Sequence, residues 1–251
     1  MNTVELDLRQ SDGGARIAHI RLNRPDARNA LNNQMCLDLL TALRQVEAEP
    51  EVACVVIAGK GPAFCAGADL KERQGMDDDQ IRGRRLRAFR AYDAVETLSM
   101  PAIAAVAGPC VGSGCEIATA CDFIVAAEGA TFRYPEAQWG TVGATQRLPR
   151  IVGKRLAKEL MFTGRPVPAE EALRIGLVNR VVAETALEAE VETLVGQIVK
   201  APLAALKQAK RCIDQGTADS RMGALAEEIL AIEENLEQQA WRDRMVESPA
   251  K

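Results

Sequence analysis

Two uninterrupted apolar runs, Val52-Ala53-Cys54-Val55-Val56-Ile57 and Ala102-Ile103-Ala104-Ala105-Val106, constrain this chain more than any other feature. Neither alternates apolar with polar residues, so each reads as a strand covered on both faces. Small residues follow each run at once: Gly59-Lys60-Gly61-Pro62 after the first and Gly108-Pro109 after the second. Between them, Asp77-Asp78-Asp79 places acids where a long helix would begin, at the positive end of its dipole. Met100-Pro101 closes that segment, because proline cannot continue a helix.

The flanking sequence repeats the cycle. Alternation of Ala18, Ile20 and Leu22 predicts a strand face that ends at the turn Asn23-Arg24-Pro25-Asp26. A helix is predicted from about Asn33, with Met35, Leu39, Leu40, Leu43 and Val46 on one stripe. Residues 115–120 read as a short helix and 122–126 as a further strand. From Gly153 onward the pattern is helical over 154–161, 169–175, 185–200, 202–214 and 222–242, broken only by an extended piece at 177–182. The result is an α/β core of stacked strand-strand-helix units with a helical tail.

A chain of 251 residues that is 47% hydrophobic can bury one large core. Its formal charge of -4 argues against a nucleic-acid binder. The N-terminus has no basic and apolar leader pattern, and the longest apolar run, 102–107, is far too short to cross a bilayer. Seven cysteines without a CxxC pair read as buried free thiols of a reducing cytoplasm, not as a metal site.

The chemistry concentrates in two short runs, Ala63-Phe64-Cys65-Ala66-Gly67-Ala68-Asp69 and Gly112-Ser113-Gly114-Cys115-Glu116. Both follow buried strands, where ligand sites often form. Small side chains let backbone N–H groups approach a ligand, and two facing N–H groups can stabilise an enolate oxygen. The N–H of Ala66 is the expected donor in the first run. A tight turn and a helix-start acid are the alternative readings of these runs. Glu136, in Tyr134-Pro135-Glu136, supplies a second carboxylate. The sole histidine, His19, lies within a strand and is expected at the surface; no Ser-His-Asp triad is formed. Arg82, Arg84, Arg85, Arg87 and Arg90 read mainly as a solvated helix face balanced by Asp77 to Asp79, with an anionic ligand as the alternative.

Taken in order and spacing, these segments resemble the crotonase superfamily, and within it an enoyl-CoA hydratase. The resemblance runs from Leu22-Asn23-Arg24-Pro25-Asp26-Ala27-Arg28-Asn29-Ala30-Leu31 through Phe64-Cys65-Ala66-Gly67-Ala68-Asp69-Leu70-Lys71-Glu72 and Gly114-Cys115-Glu116. It continues through Thr145-Gln146-Arg147-Leu148-Pro149-Arg150, Leu160-Met161-Phe162-Thr163-Gly164-Arg165 and Gly176-Leu177-Val178. It implies a spiral of ββα units over residues 1–190 and a C-terminal helical trimerisation region over 191–251, in a homotrimer or dimer of trimers. It further implies an acyl-CoA thioester whose oxygen is held by the N–H groups of Ala66 and Ser113. Ala27 and Arg28, with Ala66, Gly67, Ala68, Asp69 and Leu70, match positions that line the CoA path. Glu116 and Glu136 match the two hydratase glutamates, Glu116 taking a proton from water while Glu136 delivers one to C2. No cofactor is implied beyond the CoA of the substrate itself.

Three departures stand out. Ser113 replaces a glycine of the family pattern, and would be strained if the backbone there needed a positive φ. The segment 140–146 is shorter than the family's loop after the second glutamate, with Trp139 beside it. The usual C-terminal ending is missing. A double-bond isomerase, a thioester hydrolase and a non-catalytic RNA-associated member of the same fold remain as alternatives, the last supported only by the arginines of 82–90.

Overall fold

The computed structural model describes residues 2–11, 14–218 and 220–236. In chain order its strands are β1 (Val4–Gln10), β2 (Arg16–Leu22), β3 (Val52–Gly59), β4 (Ala102–Val106), β5 (Pro109–Val111), β6 (Phe123–Ala127), β7 (Thr131–Arg133), β8 (Val167–Pro168) and β9 (Arg180–Val182). The helices are α1 (Asn33–Ala48), α2 (Leu70–Arg73), α3 (Asp78–Glu96), α4 (Ser113–Ala120), α5 (Arg147–Val152), α6 (Lys154–Thr163), α7 (Ala169–Arg174), α8 (Leu187–Ile198), α9 (Leu203–Ala218) and α10 (Arg221–Leu236). The helix expected over 222–242 is thus described as far as residue 236, and its remainder lies outside the described residues.

Six strands form the main sheet in the order β1-β2-β3-β4-β6-β9. The β1–β2 hairpin is antiparallel, with Val4 opposite Leu22, and every later pairing is parallel. Parallel neighbours require crossovers, and these carry α1, α3 and α4 onto one face of the sheet. A second, three-stranded sheet in the order β5-β7-β8 lies beside it. These two sheets and their parallel crossovers are what the spiral of ββα units implied by the sequence resemblance requires.

Both faces of the main sheet are covered, which explains the uninterrupted apolar runs. On one face Ile20, Val55, Ile57, Ala104 and Val106 pack with Met35, Leu39 and Leu43 of α1 and Val95 of α3. On the other, Cys54, Val56, Ile103 and Ala105 meet Leu187, Val191, Leu194 and Val195 of α8. Residue 190 therefore falls inside a helix that packs on the sheet. The same helix covers His19, which is 7% exposed and not the surface residue expected from the strand pattern. Its Nε2 lies 3.7 Å from Glu192, and burial lowers its pKa. All seven cysteines are free, and all but Cys212 are buried.

The starts of α1 and α3 are set by side-chain caps. Asn32 accepts the Met35 N–H, and Asp77 exchanges hydrogen bonds with Gln80 in a capping box. By contrast, α4 is preceded by Gly112 with φ 49° and has no capping side chain. Its first N–H groups stay open.

Candidate active site

A cavity of about 230 Å³ opens where loop 66–70, α3, the start of α4 and the turn after β7 meet. The two glycine-bearing runs are brought together here by direct backbone pairing. Val111 N–H donates to the Cys65 carbonyl at 2.9 Å, and Gly114 sits so close that a Cβ there would fall 2.3 Å from the same oxygen.

Backbone pairing also decides which N–H faces the cavity. Leu31 N–H donates to the Gly67 carbonyl at 2.8 Å, and Leu31 accepts from Asp69 N–H at 2.9 Å. In an extended segment successive N–H groups point to opposite sides, so Ala68 N–H turns away from Leu31. Ala66 N–H is spent on the Arg28 carbonyl at 3.0 Å. The expectation that Ala66 serves as an oxyanion donor is corrected on this ground: a donor already bonded to backbone is not free for a ligand oxygen. Ala68 lines the cavity, its N–H making no backbone hydrogen bond among the described residues.

Ser113 lines the same cavity as the first residue of α4, with its N–H among the open donors of that helix. The positive φ belongs to Gly112, and Ser113 is not among the positive-φ residues, so serine is tolerated without backbone strain. Tyr92, a buried residue of α3, lines the same cavity.

Glu116, one turn into α4, and Glu136, at the start of a short 3-10 helix (Glu136–Trp139), both line the cavity. Glu116 is 7% exposed. Arg147 Nη1 reaches its Oε2 at 2.6 Å, and the same guanidinium pairs with Glu96 at the end of α3. Burial raises the Glu116 pKa, and Arg147 opposes that rise. Glu136 has no such cation among the described residues: burial raises its pKa, its Oε2 has no hydrogen-bond partner there, and the Glu116 charge adds to the rise. Gly112 is required beside it, because a Cβ there would sit 2.9 Å from Glu136 Oε1. Two carboxylates in unlike settings, facing two free N–H groups, can handle two protons at a polarised carbonyl.

The other expected positions divide. Gly67 and Leu70 line the cavity with Ala66 and Ala68. Asp69 does not, because it turns inward to cap α2 through Lys71 and Glu72 N–H and to pair with Arg24 at 2.8 Å. Ala27 closes a 3-10 turn and Arg28 takes a left-handed φ of 50°; neither lines the cavity, although the Arg28 carbonyl anchors Ala66. Trp139 lines the cavity yet is 65% exposed. The arginine-bearing helix face is only partly solvated: Arg82 pairs with Asp79 outside, whereas Arg84 is buried and Arg85 is half-buried at the cavity. Sequence reasoning assigned no role to Arg147, or to Asn29, whose fully buried amide ties Lys60 and Ala63 carbonyls to the Arg24 N–H. Both lie within segments that carry the family resemblance, which was the only signal for them.

The sequence profile of the family described as enoyl-CoA hydratase/isomerase matches residues 12–247. A short-chain-enoyl-CoA hydratase of Clostridium acetobutylicum is 37% identical over 92% of this chain and 90% of its own. A crotonyl-CoA hydratase of Syntrophomonas wolfei is 38% identical over 80% of this chain and 79% of its own. The crystal structure of an enoyl-CoA hydratase from Bacillus anthracis superposes with a TM-score of 0.90 at 33% identity, covering 96% of each chain. By profile, relatives and fold alike, the chain belongs to the enoyl-CoA hydratase/isomerase family of the crotonase superfamily.

Proposed function

We propose that this protein adds water across the double bond of a 2-enoyl-CoA to give a 3-hydroxyacyl-CoA. The observation that carries the reading is the unlike pair of carboxylates: Glu116 paired with Arg147, and Glu136 buried with no ion pair among the described residues. The thioester oxygen rests between Ala68 and Ser113 N–H, which take up the charge that forms as the enolate develops. Removing one such donor costs about 10²–10³ in rate in comparable sites. Glu116 draws a proton from water as its oxygen bonds to C3. The enolate then collapses, and Glu136 gives its proton to C2, so one water is added with no net change of charge. CoA enters as part of the substrate, and the reaction is written without a resident cofactor.

Assembly as a homotrimer or dimer of trimers, and a cytoplasmic location, complete the proposal. Exposed Ile213 of α9 and Met222, Leu225 and Ile229 of α10 support burial against further copies of the chain. Among the described residues no helix is long and apolar enough to cross a membrane.

The test follows the conjugated enoyl-thioester absorbance with crotonyl-CoA. Rapid loss with the wild type and near-silence with both Glu116→Gln and Glu136→Gln is the expected result. Full activity in Glu116→Gln would instead indicate an isomerase-type site working through Glu136 alone.

A further inference from the structure

Three arginines share one wall of the cavity, and acids answer only one of them. Arg84, 3% exposed at its side chain, pairs with Glu72 at 2.8 Å and donates to the Leu31 carbonyl. Arg85 donates to the Thr141 hydroxyl and, at 3.1 Å, to the Val142 carbonyl, both neutral groups. Arg73, the last residue of α2, has neither a hydrogen bond nor an ion pair among the described residues. The charges that act on it are those of Arg84 and Arg85, which together with burial lower its pKa. Apolar Leu70, Phe89 and Val142 line the same cavity.

Holding cations side by side without an acid costs free energy, and a bound anion recovers that cost. The two reacting carboxylates are not that anion. The charges acting on Glu116 are Arg147 and Glu96, and the one acting on Glu136 is Glu116. Among the described residues neither Arg73 nor Arg85 forms an ion pair or hydrogen bond with either carboxylate; Arg85 bonds Thr141 and Val142 instead, and both arginines line the cavity.

We propose that the acyl group taken by this site carries a free carboxylate at the end remote from the thioester, bound by Arg73 and Arg85. The substrate class is then the mono-CoA thioester of an unsaturated dicarboxylic acid. This rests on the acyl-CoA reading of the cavity. Arginine suits the task because its planar fork binds a carboxylate in two hydrogen bonds.

The experiment separates binding from turnover. Titration calorimetry compares butyryl-CoA with glutaryl-CoA, which is the same chain ending in a carboxylate, for wild type and Arg73→Met. Turnover compares crotonyl-CoA with 2-pentenedioyl-CoA, the matching enoyl pair. Wild type is expected to bind glutaryl-CoA at least about tenfold more tightly, and Arg73→Met to lower that ratio by about tenfold or more. Arg73→Lys, which keeps the charge without the fork, should recover part of it. Equal binding of the two thioesters by wild type, or binding of neither, overturns the proposal. So does an equal weakening of both by Arg73→Met, since that would mark a phosphate contact to CoA. If the binding preference holds but neither enoyl thioester is hydrated, the carboxylate site stands and the hydration reading fails.

Discussion

Arg147 Nη1 lies 2.6 Å from Glu116 Oε2, and its other nitrogen holds Glu96 at the end of α3. One guanidinium on α5 thereby ties a cavity carboxylate on α4 to an acid on α3. Glu136, across the same cavity, has no such anchor among the described residues. This asymmetry is a property of the surroundings, because the two side chains are chemically identical.

Arg147→Met should therefore move the acid limb of the kcat/KM profile to higher pH. Arg147 opposes the burial-driven rise of the Glu116 pKa, so its loss leaves Glu116 protonated over a wider range. Arg147→Lys keeps the charge and should shift the limb less. An unmoved limb in Arg147→Met would show that Glu116 ionisation does not limit the reaction.

Stability should respond to Glu136 with a definite sign. Burial holds its pKa above the ordinary 4.5, so the folded protein keeps this proton more tightly than the unfolded chain. The stabilising contribution is full below the unfolded value and is lost as pH rises through the folded value. Glu136→Gln cannot ionise and escapes that loss. Its Tm relative to wild type should rise between pH 4 and pH 8, and a constant difference would contradict the assignment.

Gly112→Ala tests the contact between backbone and carboxylate. The substitution forces a side chain onto φ 49° and pushes a Cβ to within 2.9 Å of Glu136 Oε1. Holding a side chain at this positive φ costs about 1–2 kcal/mol, a Tm loss of about 2–8 °C for a domain this size. A shift of Glu136 of about 1 Å should lower kcat by about a hundredfold. Thermal denaturation and kinetics, measured together, separate the two effects.

Asn29 is fully buried at φ 55°, and its side chain makes hydrogen bonds of 2.8 to 2.9 Å to Arg24, Lys60 and Ala63. Asn29→Ala should cost about 3 kcal/mol in denaturant unfolding by orphaning these buried groups. Asn29→Gly accepts the same φ without strain but loses the same bonds. Wild-type stability in Asn29→Gly would show that the backbone, not the amide, is what matters there.

What could be read from the sequence follows from what each element touches. β3 and β4 are legible because covering on both faces leaves no polar position, and Asp77 marks the start of α3 through its own chemistry. β1 carries Glu5, Asp7 and Arg9 on a largely exposed edge and gives no such signal. β5 and β7 are three residues each and exist through the pairing of Cys110 with Phe132. At the site, small residues point to open backbone, but whether Ala66 or Ala68 is free depends on Arg28 and Leu31, distant in sequence. His19 and Arg84 were misjudged for the same reason: α8 covers the one, and Glu72 with the Leu31 carbonyl draws in the other.

The pairing of Leu31 with Gly67 and Asp69 bears on how this segment can change over time. The bridge at Cys65–Cys110 and the bridge at Leu31–Ala68 pin it at both ends. Between these pins the direction of each N–H is set by counting, not by side-chain chemistry. Any residue other than proline at position 68 would still present a donor, whereas inserting or deleting one residue would turn that donor toward Leu31. Spacing, and not the chemistry of the side chain at position 68, thus sets where this donor points.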